Sequence, residues 1–244
     1  MDARLDPVVA HTLVPVVVID DADRAAGLAE ALVAGGLPVA EVTFRTAAAA
    51  EAIAAMVKVP GMTVGAGTVR TTEQADAAVA AGATFLVSAG LSEKVVRHAG
   101  ELGVPILPGT ATAAEIQLAT ELGLDTVKFF PAETAGGASA IKALAAPFHD
   151  ITFVPTRGIC PNNLADHLAV KAIAGVGGTW TCPRAAVAVR DLPTVQRPTA
   201  PPAPPPHPIP HASSHPLPPS PRRALPLIPP PPPPASSPSR HLDP

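Results

Sequence analysis

Lys128 is the residue of this sequence best placed to do chemistry. It lies in the run Thr126-Val127-Lys128-Phe129-Phe130-Pro131-Ala132-Glu133. Flanked by Val127, Phe129 and Phe130, its ammonium is expected to lose hydration, which disfavours the charged form and lowers the pKa. A neutral amine near pH 7 attacks a carbonyl carbon and forms a Schiff base. The competing reading is a strand-end lysine whose stem packs while its head reaches water. The segment alone leaves both open.

The elements that would position this lysine follow a repeating order. Short β-branched runs at 14–19, 39–45, 63–69, 85–90, 105–110, 126–131, 151–158 and 172–180 alternate with alanine-rich helical stretches. The helical stretches fall near 22–35, 46–58, 71–81, 92–102, 112–122, 139–147 and 162–170. Asp21, Thr46, Ser92 and Thr112 precede helices as candidate N-caps. Gly35-Gly36, Gly82, Gly103 and Gly123 sit where helices need a left-handed residue to end.

Eight strands and seven helices in alternation predict an α/β fold, a (β/α)8 TIM barrel. A doubly wound open sheet is the rival. The barrel is preferred because polar residues cluster at strand C-termini: Glu41, Arg45, Thr68, Ser88, Lys128, Thr156 and Thr179. A barrel gathers those ends at one mouth, whereas an open sheet spreads them along an edge. The stretch 183–192 begins a helix that Pro193 and Pro198 stop. The barrel is therefore expected to lack a normal eighth helix and to expose apolar surface near its first and last strands.

Composition divides the chain at the same place. Residues 193–244 hold 22 of the 33 prolines and no glycine, so they are expected to form a disordered proline-rich tail with polyproline II stretches. Residues 1–192 suit one domain with a sizeable core. The tail carries four Arg and one Asp, a charge of +3; against −3 for the whole chain, this leaves −6 on residues 1–192. That part has no basic stripe, which argues against nucleic acid as a partner. Cys160 and Cys182 lack metal-ligand spacing and fit a reducing compartment. No apolar run reaches the roughly 20 residues of a membrane helix, and the N-terminus has no signal-peptide order, so a cytoplasmic protein is expected.

Five motifs in order resemble the 2-keto-3-deoxy-6-phosphogluconate (KDPG) and 4-hydroxy-2-oxoglutarate (KHG) aldolase family. They are Glu41-Val42-Thr43-Phe44-Arg45-Thr46, Gly65-Ala66-Gly67-Thr68-Val69, Val127-Lys128-Phe129-Phe130-Pro131-Ala132-Glu133, Pro155-Thr156 and Gly177-Gly178-Thr179-Trp180. The resemblance runs from about residue 8 to residue 190. It implies a class I lyase of carbohydrate metabolism, of the Entner-Doudoroff type, with no cofactor or metal. Such an enzyme cleaves the keto-deoxy sugar acid phosphate to pyruvate and glyceraldehyde 3-phosphate, and family members are typically homotrimers.

Residue by residue, Lys128 matches the family's Schiff-base nucleophile and Glu41 its general acid/base. The competing reading for Glu41 is an ion pair with Arg45, four positions on and on the same strand face, but the motif context favours catalysis. Arg45 and Thr68 match the groups that hold the substrate carboxylate, a task suited to a planar guanidinium and a hydroxyl donor. Phe130 and Thr156 match the pocket wall. Gly158, Gly177, Gly178 and Thr179 match the phosphate cradle, where exposed backbone N–H groups favour an anion.

Two positions depart from the family: Ala89 and Arg157 stand where it has proline and glycine. If position 157 needs φ > 0, arginine adds strain of about 1–2 kcal/mol. Arg157 then either distorts the cradle, the reading favoured here, or swings out to pair with the phosphate. His98, His149 and His167 read as surface or structural, and Cys160 has no histidine partner within the motif. Three alternatives remain: cleavage of the unphosphorylated 4-hydroxy-2-oxoglutarate, an inactive chain with a damaged C-terminus, and an interaction protein whose tail recruits a proline-binding domain. The abrupt change at 193 also raises the hypothesis of a shifted reading frame, which an intact single frame in the coding DNA would sink.

Overall fold

The computed structural model describes residues 2–189. The tail 193–244, its expected disorder and the boundary at 192 lie outside the described residues.

A 3-10 turn, Ala3–Leu5, leads into α1 (Asp6–Val9) and β1 (Leu13–Val17). Then follow α2 (Ala25–Ala34), β2 (Val39–Thr43), α3 (Ala49–Met56), β3 (Thr63–Gly67), α4 (Thr72–Ala80), β4 (Phe85–Val87) and α5 (Glu93–Glu101). The second half comprises β5 (Ile106–Leu107), β6 (Gly109–Thr110), α6 (Ala113–Glu121), β7 (Thr126–Phe129) and α7 (Gly137–Ala145). It ends with β8 (Thr152–Pro155), α8 (Leu164–Leu168), β9 (Val176–Gly178) and α9 (Arg184–Val189).

All strand pairing is parallel, in a curled sheet packed with helices. One portion runs β5-β4-β3-β2-β1-β9 and the other β6-β7-β8. β5 and β6 are the two halves of the expected run 105–110, divided at Pro108, which has no N–H for the ladder. Its carbonyl still accepts from Lys128 N–H at 2.9 Å. Bridges Phe153↔Ile173 and Thr156↔Gly177 connect the β8 segment to the β9 segment.

Strand alternation sorts the side chains into two sets. Ala40 and Val42 join the large core that also holds residues of α2 and α3, whereas Val39 joins a smaller cluster with Val14, Phe85, Val87, Leu107 and Val154. Glu41 and Thr43 share the strand face of Val39, so period two places the carboxylate above that apolar layer. Leu5, Val8 and Val9 pack into the same cluster. This plug is not legible in the sequence, because a four-residue helix is too short to show a helical period.

The caps follow in large part. Ser92 and Thr112 accept N–H bonds at the starts of α5 and α6, Thr112 in a full capping box with Glu115. Asp21 caps the 3-10 turn that precedes α2. Gly36, Gly82, Gly103 and Gly123 all take positive φ. Thr46 corrects the expectation: α3 starts three residues later, and the Thr46 hydroxyl donates to the Ile19 carbonyl instead. The stretch expected to begin a helix forms α9 over six described residues, with Ala186 and Val187 buried.

Candidate active site

Lys128 is in the middle of β7, hydrogen-bonded on both flanks by parallel neighbours opposite Gly109 and Val154. Its side chain is only 7% exposed and Glu41's 4%. Lys128 Nζ donates to Glu41 Oε1 at 3.2 Å and Oε2 at 3.4 Å. The ambiguity left by the sequence is thus resolved geometrically: Glu41 turns to Lys128 and not to Arg45. The snorkelling alternative also fails, because the ammonium ends at a buried carboxylate and not in water. Phe130 covers this pair from one side, its ring centroid 5.4 Å from Nζ.

Gly67, opposite Thr43 on β3, gives the carboxylate its room, since a Cβ there would collide with Glu41 Oε1. The next residue, Thr68, is half-buried and held at φ 58°. Left-handed backbone is a true outlier for a β-branched residue, and such outliers concentrate at ligand sites. The sequence showed only a threonine at a strand end. Buried Thr110, which sequence reading passed over, donates from Oγ1 to the Lys128 carbonyl at 3.3 Å.

Arg45 and Thr179 are exposed and share the wall of a cavity of about 380 Å³. Val16, Trp180, Cys182 and Arg184 also line it, but Lys128 and Glu41 do not. Val16 stands opposite Glu41 in the β1–β2 register, so one residue of the cavity wall is the strand neighbour of the buried carboxylate. Arg184 is held by a bidentate pair with Asp20 at 2.7 and 2.5 Å. Burial pushes the Cys182 thiol up to about 12, leaving it protonated and inert near neutrality.

Of the expected phosphate residues, Gly177 and Gly178 end β9 with Thr179 next in the chain, and Arg157 and Gly158 follow the end of β8. Buried Thr156 bridges to Gly177, where a Cβ would strike the Thr156 hydroxyl, and Gly178 lies under the Trp180 ring. Arg157 and Gly158 are exposed and consecutive in the left-handed region, at φ 84° and 83°. Arg157 thus occupies a conformation that a side chain adopts at a cost, the condition on which the expected strain depended. Among the described residues the Arg157 guanidinium has no ion-pair partner. His98 and His149 lie at the surface beside the carboxylates of Asp76 and Asp150, but His167 is buried, which no pattern in its five-residue helix announced. Among the described residues no group of three His, Cys, Asp or Glu could hold a metal ion.

A profile described as KDPG and KHG aldolase matches residues 6–197. The chain is 48% identical over 184 residues to the 2-dehydro-3-deoxy-phosphogluconate aldolase of Treponema pallidum, covering 75% of this chain and 88% of that relative. The crystal structure of the 2-keto-3-deoxy-6-phosphogluconate aldolase of Zymomonas mobilis with 3-phosphoglycerate superposes with a TM-score of 0.72 at 41% identity, covering 82% of this chain and 100% of that one. The KDPG aldolase of Legionella pneumophila, with pyruvate captured as a covalent carbinolamine, superposes with a TM-score of 0.76 at 36% identity, covering 79% of this chain and 94% of that one. The chain belongs to the KDPG and KHG aldolase family.

Proposed function

We propose that this chain is a class I aldolase that cleaves 2-keto-3-deoxy-6-phosphogluconate to pyruvate and glyceraldehyde 3-phosphate, with Lys128 as the nucleophile. The observation that carries the reading is the buried Lys128–Glu41 pair, 3.2 Å from nitrogen to oxygen, in a member of an aldolase family.

Glu41 accepts a proton from Lys128, and the freed amine adds to the C2 carbonyl of the substrate to give a carbinolamine. Glu41 returns a proton to the carbinolamine hydroxyl, and water leaves to form the iminium. The C4 hydroxyl then gives its proton to Glu41, the C3–C4 bond breaks, and its electron pair flows into the iminium. Glyceraldehyde 3-phosphate departs, leaving an enamine. Protonation at C3 and hydrolysis of the C–N bond release pyruvate and restore the lysine.

The other residues bind. Arg45 and Thr68 hold the substrate carboxylate, Phe130 and Thr156 wall the pocket, and Gly158, Gly177, Gly178 and Thr179 cradle the phosphate. Arg157 strains this cradle and weakens phosphate affinity. The parallel pairings, with the bridges between the β8 and β9 segments and the pairing of β1 with β9, support a closed (β/α)8 barrel with all these groups at its mouth. The family resemblance supports a cytoplasmic homotrimer acting on a small molecule. No helix among the described residues is long and apolar enough to cross a membrane.

Cleavage of 4-hydroxy-2-oxoglutarate is the second reading, favoured by the Arg157 strain, because that substrate has no phosphate. Measuring pyruvate release from both substrates tests these readings. Cleavage of either one that falls about ten-thousandfold or more in Lys128→Met supports the mechanism. A Lys128→Met protein as active as the parent contradicts it.

A further inference from the structure

His167 lies on α8, outside the residues assigned to the reaction, and is 1% exposed. Its Nε2 is 2.7 Å from Glu133 Oε1. A carboxylate only accepts, so Nε2 carries the hydrogen. Nδ1 has no partner among the described residues. An orphaned buried nitrogen is costly, and the imidazole keeps its place with this single bond.

What that bond holds is the wall of the Arg157–Gly158 turn. The Glu133 N–H donates to the Arg157 carbonyl at 3.2 Å. A Cβ at position 158 would lie 2.5 Å from Glu133 Cβ, and one at position 137 would lie 2.7 Å from Glu133 Oε1. The Glu133 side chain thus fills the gap between the left-handed turn and the first residue of α7. Asn163 Nδ2 also holds the turn, donating to the Gly158 carbonyl at 3.1 Å. The Glu133 side chain is 41% exposed, so without its tie to His167 it is free to swing into water and leave the turn unsupported.

We propose that His167 is a positioning residue that, through Glu133, holds the Arg157–Gly158 turn in the shape that receives a phosphate monoester. The proposal rests on the aldolase reading for the location of the phosphate, but not on turnover.

The test measures binding of glycerol 3-phosphate by calorimetry, and separately the rate of borohydride-trapped pyruvate adduct formation. It compares the parent, His167→Leu, His167→Gln and Glu133→Ala. His167→Leu is expected to bind glycerol 3-phosphate about tenfold more weakly, the scale of one lost bond to a charged group, while pyruvate trapping stays within about twofold. His167→Gln, which keeps an N–H donor, is expected to recover binding to within about threefold of the parent. Equal losses in both readouts, or no loss in either, would overturn the proposal. If His167→Leu fails to fold, Glu133→Ala decides: a tenfold loss confined to glycerol 3-phosphate supports it and unchanged binding overturns it. A parent protein that traps pyruvate but does not bind glycerol 3-phosphate also overturns it. A parent that binds glycerol 3-phosphate but traps no pyruvate contradicts the aldolase reading alone.

Discussion

Lys128 and Glu41, 87 positions apart in the chain, meet at 3.2 Å inside the fold with both side chains almost fully buried. Neither charge is stable there alone, because desolvation of an unpaired ion far exceeds what packing returns. The pair is therefore a structural tie between β2 and β7 and, in the mechanism proposed above, sets a proton acceptor beside the nucleophile.

Glu41→Gln removes the proposed proton carrier and the carboxylate that faces Lys128 Nζ. We expect kcat to fall by about 10²–10⁴, the usual size of a general acid/base contribution, and the melting temperature to fall with it. Steady-state kinetics and a thermal melt check both. An unchanged kcat in a folded variant would remove Glu41 from the mechanism.

Arg157→Gly relieves a left-handed arginine. Stability should rise by about 1–2 kcal/mol, visible as an upward shift of the melt. Phosphorylated substrate should gain in kcat/KM while 4-hydroxy-2-oxoglutarate stays unchanged. Equal changes on both substrates would place the effect away from the phosphate.

His98 supplies a pH signature away from the site. The Asp76 carboxylate at 2.7 Å, with Glu101 second, holds its imidazolium above the ordinary value of 6.5. A raised folded value stabilises fully below the unfolded value and is lost as pH rises through the folded one. The melt of the parent should therefore drop slightly from pH 6 to pH 9, and His98→Gln should lose that part of the drop. The same drop in both proteins would dismiss the pair as a stabilising contact.

Cys182 should resist alkylation. Burial pushes its thiol up to about 12, so almost none of it is thiolate at pH 8. Iodoacetamide should leave Cys182 unmodified in the folded protein and label it in guanidinium, as read by peptide mass spectrometry. Rapid labelling of the folded protein would mean that the thiol is not buried.

Much of the frame was legible because the strands advertise themselves. Val39, Glu41 and Thr43 alternate with Ala40 and Val42, and the glycines after α4, α5 and α6 mark their ends. Lys128 stood out because an ammonium among Val127, Phe129 and Phe130 breaks an apolar run. Long-range relations were not legible. Nothing local distinguishes Arg45 from Lys128 as the partner of Glu41, because spacing within one strand says nothing of the strand across the interior. Pro108 looked like part of one strand because its break shows only when the pairing partners on either side are known. The strain at Thr68 is a backbone property that residue type hides, and His167 lies in a helix too short to reveal its buried face.

The most direct test is borohydride reduction in the presence of pyruvate, followed by intact-mass and peptide mass spectrometry. The account predicts one pyruvyl adduct per chain, located on Lys128 and absent from Lys128→Met. A folded protein that acquires no adduct, or acquires it on Lys58, Lys94, Lys142 or Lys171 instead, would contradict it.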